Sequence, residues 1–141
     1  DIPTYYFTST EPFEQRLSVI RSMYVVFEQL LDIHCENTCI RNIKSKQTIL
    51  NSICYMWWDI LPRHGIPFQD FNRVIDEEIL NILAKVIKLG NKACKESALH
   101  GLGHWYLAYP DEVKVIIETN YLSLSDDLLE YAEKAKLGHV D

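Results

Sequence analysis

The chain has 141 residues, of which 48% are apolar and 24% are charged, so it is long enough and apolar enough to fold around one core. Five glycines and five prolines are too few for a loop-rich all-β domain, and the apolar fraction argues against disorder. Twenty acidic residues against fourteen basic ones give a formal net charge of −6. Because an acidic surface repels phosphates, we expect neither nucleic acid nor an anionic membrane among its partners.

The four cysteines, Cys35, Cys39, Cys54 and Cys94, stand in apolar sequence and lack the spacing of a secreted disulfide framework. We therefore expect four free, buried thiols and a reducing compartment, the cytoplasm. The first residues do not have the pattern of a signal peptide. No run of about 18 apolar residues occurs, so the sequence predicts no membrane span.

The first half of the chain predicts an extended arm and two helices. Residues 1–10 are rich in β-branched and aromatic side chains, and they predict an arm because no second strand is present to pair with them. Spacings of three and four between apolar residues predict a long helix over residues 11–36. Its apolar stripe consists of Phe13, Leu17, Ile20, Tyr24, Phe27, Leu31 and His34. Residues 45–61 are apolar nearly all round and predict the most buried helix, which ends at Pro62.

The second half of the chain predicts four more helices, which occupy about residues 76–89, 92–109, 111–120 and 125–138. Asp76, Asn91 and Ser125 precede apolar periodic segments, and side chains of these types cap helix N-termini. Gly138 is placed to close the last helix, since glycine adopts the left-handed conformation of a helix end. Short turns should join these helices.

Six helices without a credible sheet predict an all-α fold, with residues 1–141 forming a single helical domain. The helices pair in chain order as residues 11–62, 76–109 and 111–138. Successive antiparallel pairs are typical of an α-α superhelix or of an irregular six-helix bundle.

One segment of the predicted fourth helix resembles a known repeat. Residues 94–103 read Cys-Lys-Glu-Ser-Ala-Leu-His-Gly-Leu-Gly: an apolar position, a basic and an acidic residue, a small pair and a final Leu-Gly. This order resembles the second helix of a HEAT-like repeat, and Asn91 stands at the polar cap of that family. The resemblance covers one repeat, about residues 76–109. It implies an α-solenoid fragment whose helix pairs pack on their neighbours, and a role in binding other proteins.

Glu96, His100 and His104 recur every four residues, so they form one row along the predicted fourth helix. Together with Tyr106 they predict an exposed strip, because the small and apolar residues occupy the other side. Two histidines at this spacing are also a metal-ligand pattern that a carboxylate can complete. Neighbouring carboxylates extend the strip toward a basic partner: Asp59, Asp111 and Glu112.

Two adjacent tryptophans, Trp57 and Trp58, predict a second binding element. Side chains of neighbouring helical residues point about 100° apart, so both indoles cannot enter the same layer of the core. We interpret Trp57 as buried and Trp58 as exposed or packed under the arm. Exposed tryptophan is enriched at binding hot spots.

No phosphate loop, nucleophile elbow or paired catalytic carboxylates occur, so we predict no catalytic residue and no cofactor. The sequence instead predicts a non-catalytic protein–protein interaction module. Its acidity and size suit an inhibitor of the immunity-protein type that masks a basic partner. The candidate partner-binding residues are Glu96, His100, His104, Tyr106 and Trp58. Alternatively, the chain is a metal-dependent enzyme whose ion is held by His100 and His104 with Glu96.

Overall fold

A computed structural model describes residues 13–42, 49–61, 64, 65, 67 and 70–140 of the chain, and within these ranges no strand is present. The six main α-helices are α1 (Phe13–Val26), α2 (Ile49–Met56), α3 (Asp70–Val86), α4 (Lys92–Trp105), α5 (Pro110–Thr119) and α6 (Asp126–Ala135). The predicted all-α fold is confirmed. The predicted arm, residues 1–10, lies outside the described residues. None of the described helices has both the length and the apolar character needed to cross a membrane.

The helices form two layers. In one layer α1 contacts α3 and α3 contacts α5, while in the other α2 contacts α4 and α4 contacts α6. The layers meet where α4 packs against α3 and α5. Each odd-numbered helix therefore lies beside the next odd-numbered one, as expected when successive helix pairs stack in chain order.

α1 continues past Val26 as a π-helical turn, Phe27–Leu31, and a last α-turn, Asp32–His34. A π-turn contains one extra residue, which advances the phase of the following residues by about 100°. His34, the last member of the predicted stripe, is exposed for this reason, and Cys35 is buried in its place. The helical stretch ends at Cys35, whose extended backbone (ψ 148°) stops it where the sequence predicts.

α4 is the central helix of the fold. Every residue from Ala93 to Gly103 is buried, because α4 has neighbours in both layers. The prediction that the helix at 45–61 is the most buried is wrong. Its described part ends as α-helix at Met56 and continues as a 3-10 segment, Trp57–Ile60. One apolar row of this stretch faces outward and consists of Ile49, Ile53, Met56 and Ile60.

The third helix begins at Asp70, six residues earlier than predicted. Asp76 is therefore not an N-cap. It lies in the middle of α3, fully buried, and its carboxylate accepts a hydrogen bond of 2.7 Å from the hydroxyl of Tyr109. Tyr109 is buried, and this contact ties the turn between α4 and α5 to α3.

Asn91 is the N-cap of α4, as predicted. Its side-chain oxygen accepts a hydrogen bond of 2.8 Å from the backbone N–H of Ala93, and its side-chain amide donates to the carbonyl of Cys35. Ser125 stands at the N-cap position of α6, but its hydroxyl donates to the side chain of Asp127 rather than capping the backbone. Gly138 closes the last helix with a φ of 75°, as predicted.

The four cysteines are free and buried, which confirms the prediction for the thiols. Burial, with the charges of Glu96 and Asp127, raises the pKa of Cys39 to about 12. Since thiolate rather than thiol is the nucleophile, we expect iodoacetamide at about pH 8 to leave Cys39 of the folded protein unmodified. After denaturation without reductant, mass spectrometry should find all four thiols alkylated, and a smaller number would contradict the structure.

Candidate functional site

The indole of Trp58 holds the 3-10 segment Trp57–Ile60 against α4. This side chain is fully buried, stacks on Phe27 with 5.5 Å between ring centroids, and donates its Nε1–H to Ser97 Oγ at 3.1 Å. Room for the ring exists because α4 carries Gly101, where an added Cβ would lie 2.6 Å from Trp58 Cγ. The small residues of α4 therefore leave space into which the indole of Trp58 packs. This contact fixes the position of Asp59, the next residue in the chain.

The prediction that Trp57 is buried and Trp58 is exposed is wrong, while the alternative, Trp58 packed under the arm, involves residues outside those described. Trp58 has no exposed surface, whereas Trp57 is half-buried and meets Phe27 edge-on. The chain changes from α-helix to 3-10 helix at Trp57, so each residue turns by about 120° rather than about 100°. Side-chain directions extrapolated from the preceding α-helix are therefore incorrect from Trp57 onward. Trp58 is a core residue and not an exposed binding residue.

Asp59 follows Trp58, and its carboxylate lies between two histidines of α4. Asp59 Oδ2 is 2.9 Å from His100 Nε2, and Asp59 Oδ1 is 2.6 Å from His104 Nε2. The two Nε2 atoms are 3.3 Å apart. We refer to these residues as the Asp59–His100–His104 cluster. Three atoms that can ligate a metal ion thus converge at one point.

The cluster has a buried back and a partly open front. His100 has no exposed side-chain surface, whereas 19% of the Asp59 side chain and 24% of the His104 side chain are exposed. Desolvation lowers the pKa of His104, although the charge of Asp59 opposes this shift. The neutral imidazole, which is the form that binds metals, is therefore favoured at His104.

A pair of tyrosine hydroxyls supports the back of the cluster. His100 Nδ1 lies 2.7 Å from the hydroxyl oxygen of Tyr131, which lies 2.9 Å from the hydroxyl oxygen of Tyr55. Burial, followed by the hydrogen bond with Tyr55, raises the pKa of Tyr131, so its hydroxyl stays protonated. This chain of contacts fixes the ring of His100, which presents Nε2 to the cluster.

His64 lies beside the front of the cluster. Its ring stacks on that of His104 with 4.8 Å between centroids, and its Nε2 lies 3.2 Å from the carbonyl oxygen of Trp58. Because a carbonyl only accepts, this nitrogen of His64 is the donor. His64 packs against His104, and among the described residues the converging ligand atoms are those of Asp59, His100 and His104.

Glu96 is not part of the cluster, and the predicted exposed strip is wrong. Glu96 is buried and accepts hydrogen bonds from the backbone N–H of Ile40, at 2.6 Å, and from Arg41 Nε, at 2.8 Å. His100 is also buried, so only His104 and Tyr106 of the strip are partly exposed. The row is covered because the segment Ile40–Asn42 and α6 pack over it.

Two acidic residues predicted to extend the strip lie elsewhere. Asp111 and Glu112, in the first turn of α5, are exposed and line a groove between α3 and α5. Of the predicted acidic neighbours, Asp59 is the one that the fold brings to the histidines. Its place in the cluster has no local signal, because 41 residues separate it from His100.

No protein-family model, curated protein or solved structure matches this chain. The fold and the site therefore define its class by themselves. It is an all-α protein of stacked helix pairs, with a two-histidine, one-carboxylate cluster between its central helix and the 3-10 segment after α2.

Proposed function

We propose that this protein binds a divalent transition-metal ion through Asp59, His100 and His104. The observation that carries the proposal is the convergence of one ligand atom from each residue, all within 4.8 Å of one another. Asp59 Oδ1 is 2.6 Å from His104 Nε2, Asp59 Oδ2 is 2.9 Å from His100 Nε2, and the two Nε2 atoms are 3.3 Å apart. Around an ion with bonds of about 2.1 Å, ligand atoms are about 3.4 Å apart in tetrahedral and about 3.0 Å apart in octahedral geometry. The distance of 2.6 Å from Asp59 Oδ1 to His104 Nε2 and that of 3.3 Å between the two Nε2 atoms each differ from these values by less than about 1 Å.

The donor set indicates which ions suit the cluster. Two imidazoles and one carboxylate form the ligand set of many catalytic zinc sites and of non-haem iron(II) sites. Calcium is not favoured because it prefers ligand sets made of oxygen atoms only. Copper(I) is not favoured because it prefers sulfur ligands. We therefore propose Zn²⁺ or Fe²⁺.

Three protein ligands leave at least one coordination position for water, which distinguishes catalytic sites from closed structural ones. The partly exposed edges of Asp59 and His104 give solvent access to that position. An ion held in this way would lower the pKa of its bound water to near neutrality. We therefore extend the proposal to a metal-dependent enzyme of hydrolytic type, with Asp59 as the carboxylate ligand in place of Glu96.

The Tyr131 hydroxyl supports the proposal as a partner of the ligand His100. If His100 Nε2 faces an ion, its Nδ1 carries the proton and donates to Tyr131, whose own proton then points to Tyr55. Partners of this kind set the orientation and tautomer of metal-bound histidines. Replacing one typically weakens metal affinity by about 10- to 100-fold.

Calorimetric titration with Zn²⁺, on protein purified without a metal-affinity tag, tests the site directly. We expect one ion per chain, with affinity about 100-fold weaker or lost in Asp59→Asn and in His104→Ala. Tyr131→Phe should weaken binding by about tenfold. His34→Ala is the matched control, because His34 is exposed and lies outside the cluster.

Equal zinc binding by the wild type, Asp59→Asn and His104→Ala would overturn the metal proposal. Hydrolysis of 4-nitrophenyl acetate, measured with and without Zn²⁺, tests the catalytic extension separately. We expect zinc-dependent turnover that Asp59→Asn removes. Stoichiometric binding without turnover would leave a metal-binding protein and refute the hydrolytic role.

We also propose that α3 and α4 form a HEAT-like helix pair. Support comes from the two-layer order of the helices, the cap at Asn91 and the buried small residues Ser97 and Gly101 of α4. In a stacked repeat each helix pair packs mainly on the pairs next to it, which matches the contacts of α1 with α3 and of α4 with α6.

A further inference from the structure

A groove of about 540 Å³ lies between α3 and α5. Its floor is apolar and its edge is acidic. Its apolar lining residues include Leu80, Val115 and Ile116, and its acidic ones are Glu77, Asp111 and Glu112. No basic side chain is among the lining residues in the part of the chain that the structure describes.

The apolar part of the groove is accessible. Val115 is 62% exposed, whereas Leu80 is buried and forms the bottom of the groove. Contact with an apolar side chain of a partner would remove the surface of Val115 from water, which favours the complex. The groove therefore offers a place for apolar side chains.

The acidic edge is available for a partner's cations. Glu77 lies 3.5 Å from Arg73, but both side chains are well exposed, and an exposed pair of this kind contributes little to stability. Asp111 and Glu112 stand in the first turn of α5 and are exposed. Three carboxylates thus flank an apolar floor on a chain whose net charge is −6.

We propose that this groove binds a basic amphipathic helix of a partner protein. The apolar face of that helix lies on the floor, and its lysine and arginine side chains face Glu77, Asp111 and Glu112. Helix-in-groove recognition combines apolar anchors with complementary charge in this way. A second copy of this chain fits less well, because it carries the same negative net charge. This inference rests on the groove and does not depend on the metal site.

Fluorescence anisotropy with a labelled synthetic peptide tests the groove. The probe is a helix of about 14 residues, four turns, with leucine on one face and lysine on the other. We expect the full chain to bind it with a Kd in the micromolar range. A peptide of the same composition in shuffled order should bind at least about tenfold more weakly, and one with glutamate in place of lysine should not bind.

Removing the acidic edge should weaken peptide binding by about tenfold at low salt, and the difference should shrink at about 0.5 M salt. The variant carries three substitutions: Glu77→Gln, Asp111→Asn and Glu112→Gln. Its matched control removes the same charge from exposed positions outside the groove: Glu14→Gln, Asp126→Asn and Glu130→Gln. Equal weakening by the edge variant and the control would overturn the proposal, since charge alone would then explain binding.

Substitution in the floor gives an independent readout. Val115→Ser should weaken binding by about fivefold at every salt concentration, because it removes an apolar contact. Leu122→Ser is the control, since Leu122 is fully exposed and outside the groove. Circular dichroism confirms that each variant is folded. A dimer seen by sedimentation and abolished by Val115→Ser would assign the groove to a second copy and overturn the proposal. Unchanged peptide binding by Val115→Ser would also overturn it.

Discussion

Replacing Gly101 with leucine is expected to lower the free energy of unfolding by about 3 kcal/mol, although leucine is the better helix former. An added Cβ at Gly101 would lie 2.6 Å from Trp58 Cγ and 2.9 Å from Leu83 Cδ2. Both neighbours are fully buried, so neither can move aside without disturbing the core. Urea unfolding followed by tryptophan fluorescence measures the change.

Gly90 provides the matched control for Gly101. A Cβ added at Gly90 meets no atom within 4 Å, and its backbone is not in the left-handed region. Gly90→Leu should therefore change the free energy of unfolding by no more than about 0.5 kcal/mol. Stability of Gly101→Leu equal to that of Gly90→Leu would show that the indole of Trp58 does not occupy the space above Gly101.

The same substitution connects the core to the proposed metal site. Trp58 holds the segment that carries Asp59, so displacement of the indole moves the carboxylate away from His100 and His104. We expect the folded fraction of Gly101→Leu to bind zinc more weakly than the wild type. The effect is indirect, because Gly101 itself touches no ligand atom.

Features that depend on local pattern were predictable from the sequence. The spacing of apolar residues indicates a helix independently of distant parts of the chain. For this reason α5 and α6 begin within one residue of their predicted positions. Asn91 caps α4 through the backbone two residues further on, which is also a local contact.

Features that depend on contacts between distant segments were not predictable. The spacing of Glu96, His100 and His104 placed them correctly in one row, but it carried no information on what covers that row. The carboxylate that meets the histidines comes from Asp59, which follows a change from α-helix to 3-10 helix. One sequence cannot reveal that change, because it depends on the fit of Trp58 against α4.

Glu96→Ala is expected to destabilise the protein by about 3 kcal/mol. The Glu96 carboxylate is buried and accepts hydrogen bonds from Ile40 N–H and from the guanidinium of Arg41. Its removal leaves these donors without their acceptor, which costs about 1–3 kcal/mol for each buried group. The Arg41 contribution is at the low end, since 28% of that side chain is exposed. Thermal and urea unfolding measure the loss, and Glu130→Ala, at an exposed position, should cause none.

The zinc affinity of a Glu96 variant then decides which carboxylate serves the histidines. Glu96→Gln keeps an acceptor for Ile40 N–H and should remain folded. Because Glu96 faces the segment Ile40–Asn42 and Asp59 faces both imidazoles, Glu96→Gln should bind Zn²⁺ as the wild type does, whereas Asp59→Asn should not. Loss of zinc binding in folded Glu96→Gln, with retention in Asp59→Asn, would instead assign Glu96 as the ligand and contradict the observed placement of both carboxylates.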